Sequence, residues 1–190
     1  MQLNHKGEED TDTPYKREKP EIVRVFLIKQ CEQKINQKID KLHLKQISTA
    51  DDGNCLFRSI SRQLYGMEDK HLEIRSKIVA YLETNVESFV EYFDSMEHIK
   101  KYVDKMSKPG TWGDELMLHC AAEKFQVEVH VLNYDENEKL SYKHYTPGFA
   151  QDTRDIPHRH VFLSYIALFH FQTICSDKTF KKSRSVVDVQ

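Results

Sequence analysis

The sequence predicts an α+β fold in which helices sandwich a small central β-sheet. Up to about residue 125, apolar side chains recur mostly at three- and four-residue steps, the pattern of amphipathic helices. Beyond that point, alternating and β-branched segments predict strands. One short early strand separates the first predicted helix from the others.

Composition limits the classes of protein to consider. The chain has 190 residues, enough for one domain with some terminal sequence over, and it carries a net charge of −2. Basic residues are interleaved with acidic ones, so we expect no nucleic-acid partner. No apolar run approaches the roughly 20 residues that span a bilayer, and the N-terminus has no apolar signal core.

The four cysteines are far apart in sequence and form no CxxC pair. A chain of this size does not need disulfides, which favours reduced thiols in a cytosol-like compartment. We therefore expect a cytoplasmic protein, or one that acts in a host-cell cytosol if it is a secreted effector.

Two segments precede the main domain. Residues 1–19 are polar, and we expect a flexible N-terminal arm. Residues 20–43 form an amphipathic helical extension, with Pro20 suited to its first turn. Its apolar stripe includes Phe26 and Leu27, which predicts that the extension packs on the domain.

The predicted catalytic domain, 44–175, begins with a short strand, "LHLKQIS". A helix follows from Cys55 and ends at Gly66, since glycine accepts the left-handed backbone common after a helix. Three further helices are expected within about 69–84, 86–93 and 95–106.

The last helix of the domain follows the turn at Trp112, and Asp114 or Glu115 suits its positive end. Four strands complete the sheet, in the segments "VEVHVLN", "KLSYKHYTP", "HVFLSYI" and "HFQTIC". The third of these is nearly apolar throughout, which predicts a central position in the sheet. Residues 176–190 return to polar character and form a predicted C-terminal tail.

The stretch "DDGNCLFRSI" places a cysteine at the start of a helix. The sulfur of Cys55 then lies near unsatisfied N–H groups and the positive end of the helix dipole, which favours a nucleophilic thiolate. Gly53 permits a tight turn before the helix. The N–H groups around Asp52, Gly53, Asn54 and Cys55 predict an anion-binding nest, which in an acyl-transfer enzyme is an oxyanion hole.

The nucleophile needs a base, and His170 is the candidate because it sits within the apolar segment "ALFHFQTI". His119 lies on a helix and is expected to be structural. His130 and His144 fall on strands and are expected at the surface. His158 and His160 form an H-x-H pair without a third ligand near in sequence, so we predict no metal site.

A third group usually orients the base. Asp52 is the best placed by sequence, whereas we expect Asp51 to face water or cap the turn. Gln172 points to the same side of its strand as His170 and is a candidate for a hydrogen bond to the ring, but it supplies no charge.

Three ordered blocks resemble the ovarian-tumour (OTU) deubiquitinases, which are papain-like cysteine proteases. "DDGNCLFRSISRQLYG" is similar to their nucleophile signature, and "TWGDELMLHCAAEKFQVEVHVLN" is similar to a helix-and-strand block. "HVFLSYIALFHFQTI" resembles the final hairpin that delivers the catalytic histidine. The blocks cover most of residues 44–175, and the resemblance implies a papain-like OTU fold there.

The resemblance also implies residue roles. Cys55 matches the nucleophile, His170 the general base, and Asp52 the acidic residue that completes the triad or shapes the oxyanion hole. Many members carry Asn or Asp where this chain has Gln172, a departure that favours Asp52 as the third residue. An aromatic beside the histidine, Phe171 or Trp112, is a candidate to line a narrow substrate channel.

The implied activity is hydrolysis of isopeptide bonds after the C-terminal glycine of ubiquitin, in chains or conjugates, without a cofactor. The expected partner is ubiquitin or polyubiquitin. Two alternatives remain open at this point: a catalytically silent ubiquitin-binding module, and a cysteine peptidase for another ubiquitin-like modifier.

Overall fold

The structure, a computed structural model, describes residues 21–134, 139–148, 159–166 and 170–176. The predicted arm at 1–19 lies outside the described residues, as does the predicted tail apart from Ser176. His158 also lies outside them.

The order of elements follows the predicted one. The helices are α1 (Glu21–Ile39), α2 (Cys55–Tyr65), α3 (His71–Thr84), α4 (Met96–Ser107) and α5 (Glu115–Phe125), with 3-10 turns at Asp40–Leu42 and Val86–Tyr92. The strands are β1 (Leu44–Ile47), β2 (Val127–Tyr134), β3 (Leu140–Tyr145), β4 (Arg159–Ile166) and β5 (His170–Ser176). No described helix is both long enough and apolar enough to cross a membrane.

Among the described residues, the sheet has five strands in the order β1-β5-β4-β2-β3. The β2–β4 pair is parallel and the other three pairs are antiparallel. The predicted central position of β4 is confirmed, because β4 lies between β5 and β2. Its partner β5 begins at His170, which pairs with Ile166 at the end of β4.

The main core lies on one face of this sheet. Val127, Val129 and Val131 alternate along β2 and point to this face, as the period of a strand requires. Leu56 and Phe57 of α2 are fully buried against the same core. The α+β sandwich predicted from the sequence is confirmed, with α2, α3 and α5 contributing to this layer.

Helix α1 covers the other face. Its buried residues Ile28, Cys31, Ile35 and Ile39 follow the three- and four-residue steps of a single helical stripe and pack with Ile166 and other sheet residues.

The placement of Phe26 on this stripe is wrong, because Phe26 is 59% exposed. Phe26 is two positions before the buried Ile28 and so points about 200° away from it around the helix. Phe26 therefore lies outside the buried stripe. Leu27 is half-buried and packs against the edge of the cluster, as expected.

Ile35→Ala tests how α1 is held. Because Ile35 has no exposed surface, we expect its truncation to lower the free energy of unfolding by about 2–5 kcal/mol. Urea denaturation measures the change. Phe26→Ala is the matched control on the same helix, with an expected effect within about 0.5 kcal/mol. Equal effects of the two variants would contradict this packing.

Candidate active site

The turn at residues 51–54, which we call the nucleophile loop, ends where α2 begins with Cys55. Gly53 has a φ of +77°, and a Cβ built on it would lie 1.8 Å from the carbonyl oxygen of Gly110. A side chain at this position is therefore excluded by both backbone conformation and space. The tight turn predicted from the sequence is present, and it lets two loops approach each other beside the cysteine.

The fold brings the predicted nucleophile and base together. The His170 ring lies close enough to Cys55 for this neighbour to raise the pKa of the imidazole, and the backbone N–H of Phe171 lies 3.5 Å from the Cys55 sulfur. Both side chains are buried, with 2% exposure for Cys55 and 1% for His170. The first residue of β5 is thus placed against the first residue of α2.

Side chains of α2 and β5 hold this alignment. Gln63 donates to the carbonyl oxygen of Ile174 at 2.7 Å. Thr173 donates to the carbonyl oxygen of Ser59 at 3.3 Å. These contacts fix α2 along the strand that carries the histidine.

The charge state of His170 depends on its neighbours. Burial alone lowers the pKa of this imidazole, but the neighbouring Asp51 and Cys55 outweigh burial and raise it to about 9. The Asp51 carboxylate lies 3.7 Å from Nδ1, which is an ion-pair distance rather than a full hydrogen bond. At neutral pH the ring is therefore protonated and suited to stabilise a thiolate on Cys55.

Asp52 does not occupy the third-residue position that the sequence suggested. Its carboxylate accepts from the Asn54 N–H at 3.0 Å and from Arg58 Nη2 at 2.7 Å. Burial opposes ionisation, but hydrogen bonds from Arg58 and Asn54 lower the pKa of Asp52 to about 2. Asp52 thus braces the nucleophile loop, which fits the second role expected of it, and the neighbouring Asp51 faces the histidine.

Asn54 also braces this loop. Its Oδ1 accepts from the Gly110 N–H at 2.9 Å, and its own N–H is engaged by Asp52. The N–H of Asn54 is therefore directed into the loop. The N–H groups of Gly53 and Cys55 remain as the predicted donors to an oxyanion.

Residues two apart on a strand point to the same face, so Gln172 lies on the same face of β5 as His170, as predicted. Ile174, also on that face, packs under α1. The Gln172 side chain is fully buried, and its amide Nε2 donates to the Glu32 carboxylate on α1. Gln172 therefore connects the histidine strand to α1, rather than donating to the histidine ring.

The two aromatic candidates for a channel differ. The prediction for Phe171 is wrong, because its ring is 4% exposed and stacks on Tyr165 at 4.3 Å between ring centroids. Neighbouring strand residues point to opposite faces, so Phe171 enters the main core when His170 points to the site. Trp112 is half-buried, packs against the α1 cluster, and stays a candidate.

Arg75 belongs to this site and is not among the residues predicted for it. Arg75 is 2% exposed, and its guanidinium donates to Asn54 Oδ1 at 2.9 Å. It also donates to three backbone carbonyl oxygens, those of Gly53, Met106 and Thr111. One buried cation thus fastens the nucleophile loop to the segment 106–111.

The environment of Arg75 keeps it charged. Burial lowers the pKa of its guanidinium to about 10, so it is still a cation at neutral pH. Its planar group also stacks over the Phe57 ring at 3.9 Å. The signal was present in the sequence, because Arg75 shares the inward stripe of α3 with Val79 and Leu82 at four- and seven-residue steps.

This geometry defines a class of protein. A cysteine at a helix N-terminus beside a buried, protonated histidine is the arrangement of a thiol-dependent hydrolase. Residues 50–171 match the sequence profile of the family described as OTU-like cysteine protease. The chain belongs to this family.

Individual relatives agree with this membership. The chain is 28% identical over 142 residues to the OVARIAN TUMOR DOMAIN-containing deubiquitinating enzyme 10 of Arabidopsis thaliana, an alignment that covers 75% of this chain and 37% of the relative. The deubiquitinating enzyme 7 of the same plant is 32% identical over 73% of this chain and 34% of its own length. The chain thus spans less than half the length of these curated relatives.

Solved structures support the fold. The OTU domain of OTUD1 superposes with a TM-score of 0.69 at 17% identity, covering 80% of this chain and 99% of that one. The Hazara virus OTU bound to ubiquitin gives a TM-score of 0.56 at 14% identity, covering 70% and 80% respectively. The papain-like OTU fold predicted for the main domain is confirmed.

Arg75→Ala removes the cation that joins the loops. Because it leaves several buried acceptors without a donor, we expect the free energy of unfolding to fall by about 3 kcal/mol or more. Arg75→Lys keeps the charge without the planar fork and should recover only part of the loss.

Chemical denaturation measures both changes. Arg58→Ala, which removes the half-exposed partner of Asp52, is the control, with an expected loss of about 1 kcal/mol. A smaller loss for Arg75→Ala than for Arg58→Ala would contradict the role of Arg75.

Proposed function

We propose that this chain is a deubiquitinase that hydrolyses isopeptide bonds after the C-terminal glycine of ubiquitin. The observation that carries the proposal is that buried Cys55, the first residue of α2, adjoins buried His170, with the N–H of Phe171 3.5 Å from the sulfur. The names of the relatives support the substrate, since the Arabidopsis proteins are called deubiquitinating enzymes and a structural neighbour binds ubiquitin.

The reaction begins with attack of the Cys55 thiolate on the carbonyl carbon of the terminal glycine. The new C–S bond moves an electron pair onto the carbonyl oxygen. The Cys55 N–H has no intrahelical partner at the first position of α2 and is the nearest candidate to stabilise this oxyanion, with the Gly53 N–H beside it.

His170 then acts as acid and afterwards as base. Its proton passes to the lysine amine as the C–N bond breaks, and a thioester remains on Cys55. The neutral imidazole takes a proton from water, the hydroxide attacks the thioester, and free ubiquitin leaves as the thiolate and imidazolium are restored. Asp51 is a positioning residue here, since its carboxylate faces Nδ1 and acts through the ring.

Of the two alternatives, a silent binding module is disfavoured because the nucleophile, base and carboxylate are assembled in contact range. A peptidase for another ubiquitin-like modifier shares the same chemistry and differs only in surface recognition. We further propose a reducing, cytosol-like compartment, which is supported by four cysteines that lie on four different elements and form no disulfide with one another.

Cleavage of diubiquitins by the wild-type chain and by Cys55→Ala tests the activity. Removal of the nucleophile should lower the rate at least about 1,000-fold, and His170→Ala should do the same. Cys31→Ala, which removes a buried cysteine on α1, is the control and should retain cleavage.

A ubiquitin probe with a C-terminal electrophile gives a second measurement. It should label the wild-type chain and Cys31→Ala but not Cys55→Ala. Labelling only by a probe made from another modifier would support the second alternative, and binding of ubiquitin without labelling would support a silent module.

The pH profile of kcat/KM tests the assignment of Asp51. Because the protonated ring is the active form and the pKa of His170 is about 9, activity should fall as pH rises through about 9. Asp51→Asn removes the charge that favours the imidazolium, so this alkaline limb should move to lower pH.

Asp52→Asn is the matched control one residue away. Its carboxylate is held by Arg58, so the variant should leave the alkaline limb in place whatever it does to stability. A shift with Asp52→Asn and none with Asp51→Asn would restore the assignment made from the sequence.

A further inference from the structure

Four titratable side chains meet on the α1 face of the sheet, outside the active site. We call Glu128, His130, His144 and His160 the histidine cluster. The strand register assembles it, because His130 of β2 pairs with His144 of β3 and Glu128 of β2 pairs with His160 of β4. Paired residues point to the same face of a sheet, and so do residues two apart on one strand.

Three polar atoms of the cluster converge. His130 Nε2 lies 2.9 Å from His160 Nδ1, and Glu128 Oε2 lies 3.2 Å from His160 Nδ1 and 3.6 Å from His130 Nε2. A tetrahedral Zn²⁺ ion with ligand bonds of about 2.0–2.1 Å holds its ligand atoms about 3.3 Å apart. The three atoms therefore already stand near the separations of one face of such a tetrahedron.

The neighbours of these atoms suit a metal site. His130 Nδ1 lies 2.6 Å from the Tyr142 hydroxyl, and donation to that oxygen leaves the Nε2 lone pair available for a cation. His144 Nε2 lies 3.3 Å from Glu128 Oε2 and can orient the carboxylate. Outer partners of this kind fix the tautomer and direction of metal ligands.

The cluster is open to solvent on one side, and an aromatic ring packs against it. The His160 side chain is 39% exposed, which leaves a path for an ion. The His130 ring stacks on Phe162 at 4.6 Å between centroids.

We propose that Glu128, His130 and His160 bind one divalent first-row transition-metal ion of the Zn²⁺ type, with water in the fourth position. Two imidazoles and one carboxylate are a donor set suited to Zn²⁺. The ion would join the beginnings of β2 and β4. The site is separate from the active site, because His160 precedes Ile166, the partner of His170, by six strand residues, roughly 20 Å.

Spacing along the sequence indicates no metal site, because no third ligand stands near His158 and His160 in the chain. His160 belongs to the cluster, whereas His158 lies outside the described residues. The other two ligands come from β2, so strand pairing supplies what sequence spacing does not show.

Calorimetric titration of the metal-free full chain with ZnCl₂ tests the proposal. The chain carries Cys55→Ala as background, so that the catalytic cysteine and histidine do not compete for metal. We expect one equivalent of Zn²⁺ to bind, and His160→Gln or Glu128→Gln to weaken binding at least about 100-fold. His98→Gln, on the exposed face of α4 with a side chain 51% exposed, is the control and should bind as the parent does.

Two further measurements separate a built site from unspecific binding. Tyr142→Phe keeps the ring and removes the hydroxyl, and it should weaken Zn²⁺ about 10-fold. With Co²⁺ in place of Zn²⁺, the visible absorption spectrum should show nitrogen and oxygen ligation. Circular dichroism confirms that the variants remain folded.

The proposal is overturned if the parent chain binds no Zn²⁺ at micromolar concentration, or if His160→Gln and Glu128→Gln bind it as tightly as the parent. Sulfur-to-cobalt charge-transfer bands would place the metal on a cysteine instead and would overturn it as well.

Discussion

The contact between the Cys55 sulfur and the His170 ring is the constraint on which the rest of the site depends. It requires the first residue of α2 to meet the first residue of β5, and the hydrogen bond from Gln63 to the Ile174 carbonyl oxygen maintains that alignment along the two elements. Both groups are buried in a medium that screens charge weakly, so the protonated ring stabilises the thiolate that forms on Cys55 during the reaction. A displacement of β5 along α2 would separate the two side chains.

Charges around this pair are divided between adjacent residues. Asp52 is held by Arg58 and by the backbone of its own loop, whereas Asp51 faces the histidine. The buried Arg75 cation holds the same loop from below. The loop is thus fixed by one aspartate and one arginine, which leaves the other aspartate to act on the ring. Rigidity of the loop and the charge of the base are supplied by different side chains.

Features that depend on local backbone preferences could be predicted from the sequence, whereas most features that depend on contacts between distant residues could not. The helix start at Cys55 and its end at Gly66 depend on local backbone preferences, and both were predicted. The roles of Asp51 and Asp52 depend on which carboxylate Arg58 reaches, and Arg75 binds carbonyl groups more than 20 positions away. Such contacts are tertiary, so spacing along the chain did not reveal them. The channel prediction for Phe171 is wrong for a local reason. Side chains alternate between the two faces along β5, and this alternation directs Phe171 into the core.

The pairing register of β4 links the histidine cluster at one end of this strand to the active site at the other. On β4, Ile166 lies opposite His170 of β5, while His160 lies opposite Glu128 of β2. A slip of β4 by one residue against β2 would send His160 to the opposite face and disperse the histidine cluster. That slip would also shift Ile166 and the hairpin partner that carries the catalytic histidine. An ion that joins β2 to β4 would therefore stabilise the register on which the cysteine–histidine contact depends, from roughly 20 Å away and without touching the reacting atoms.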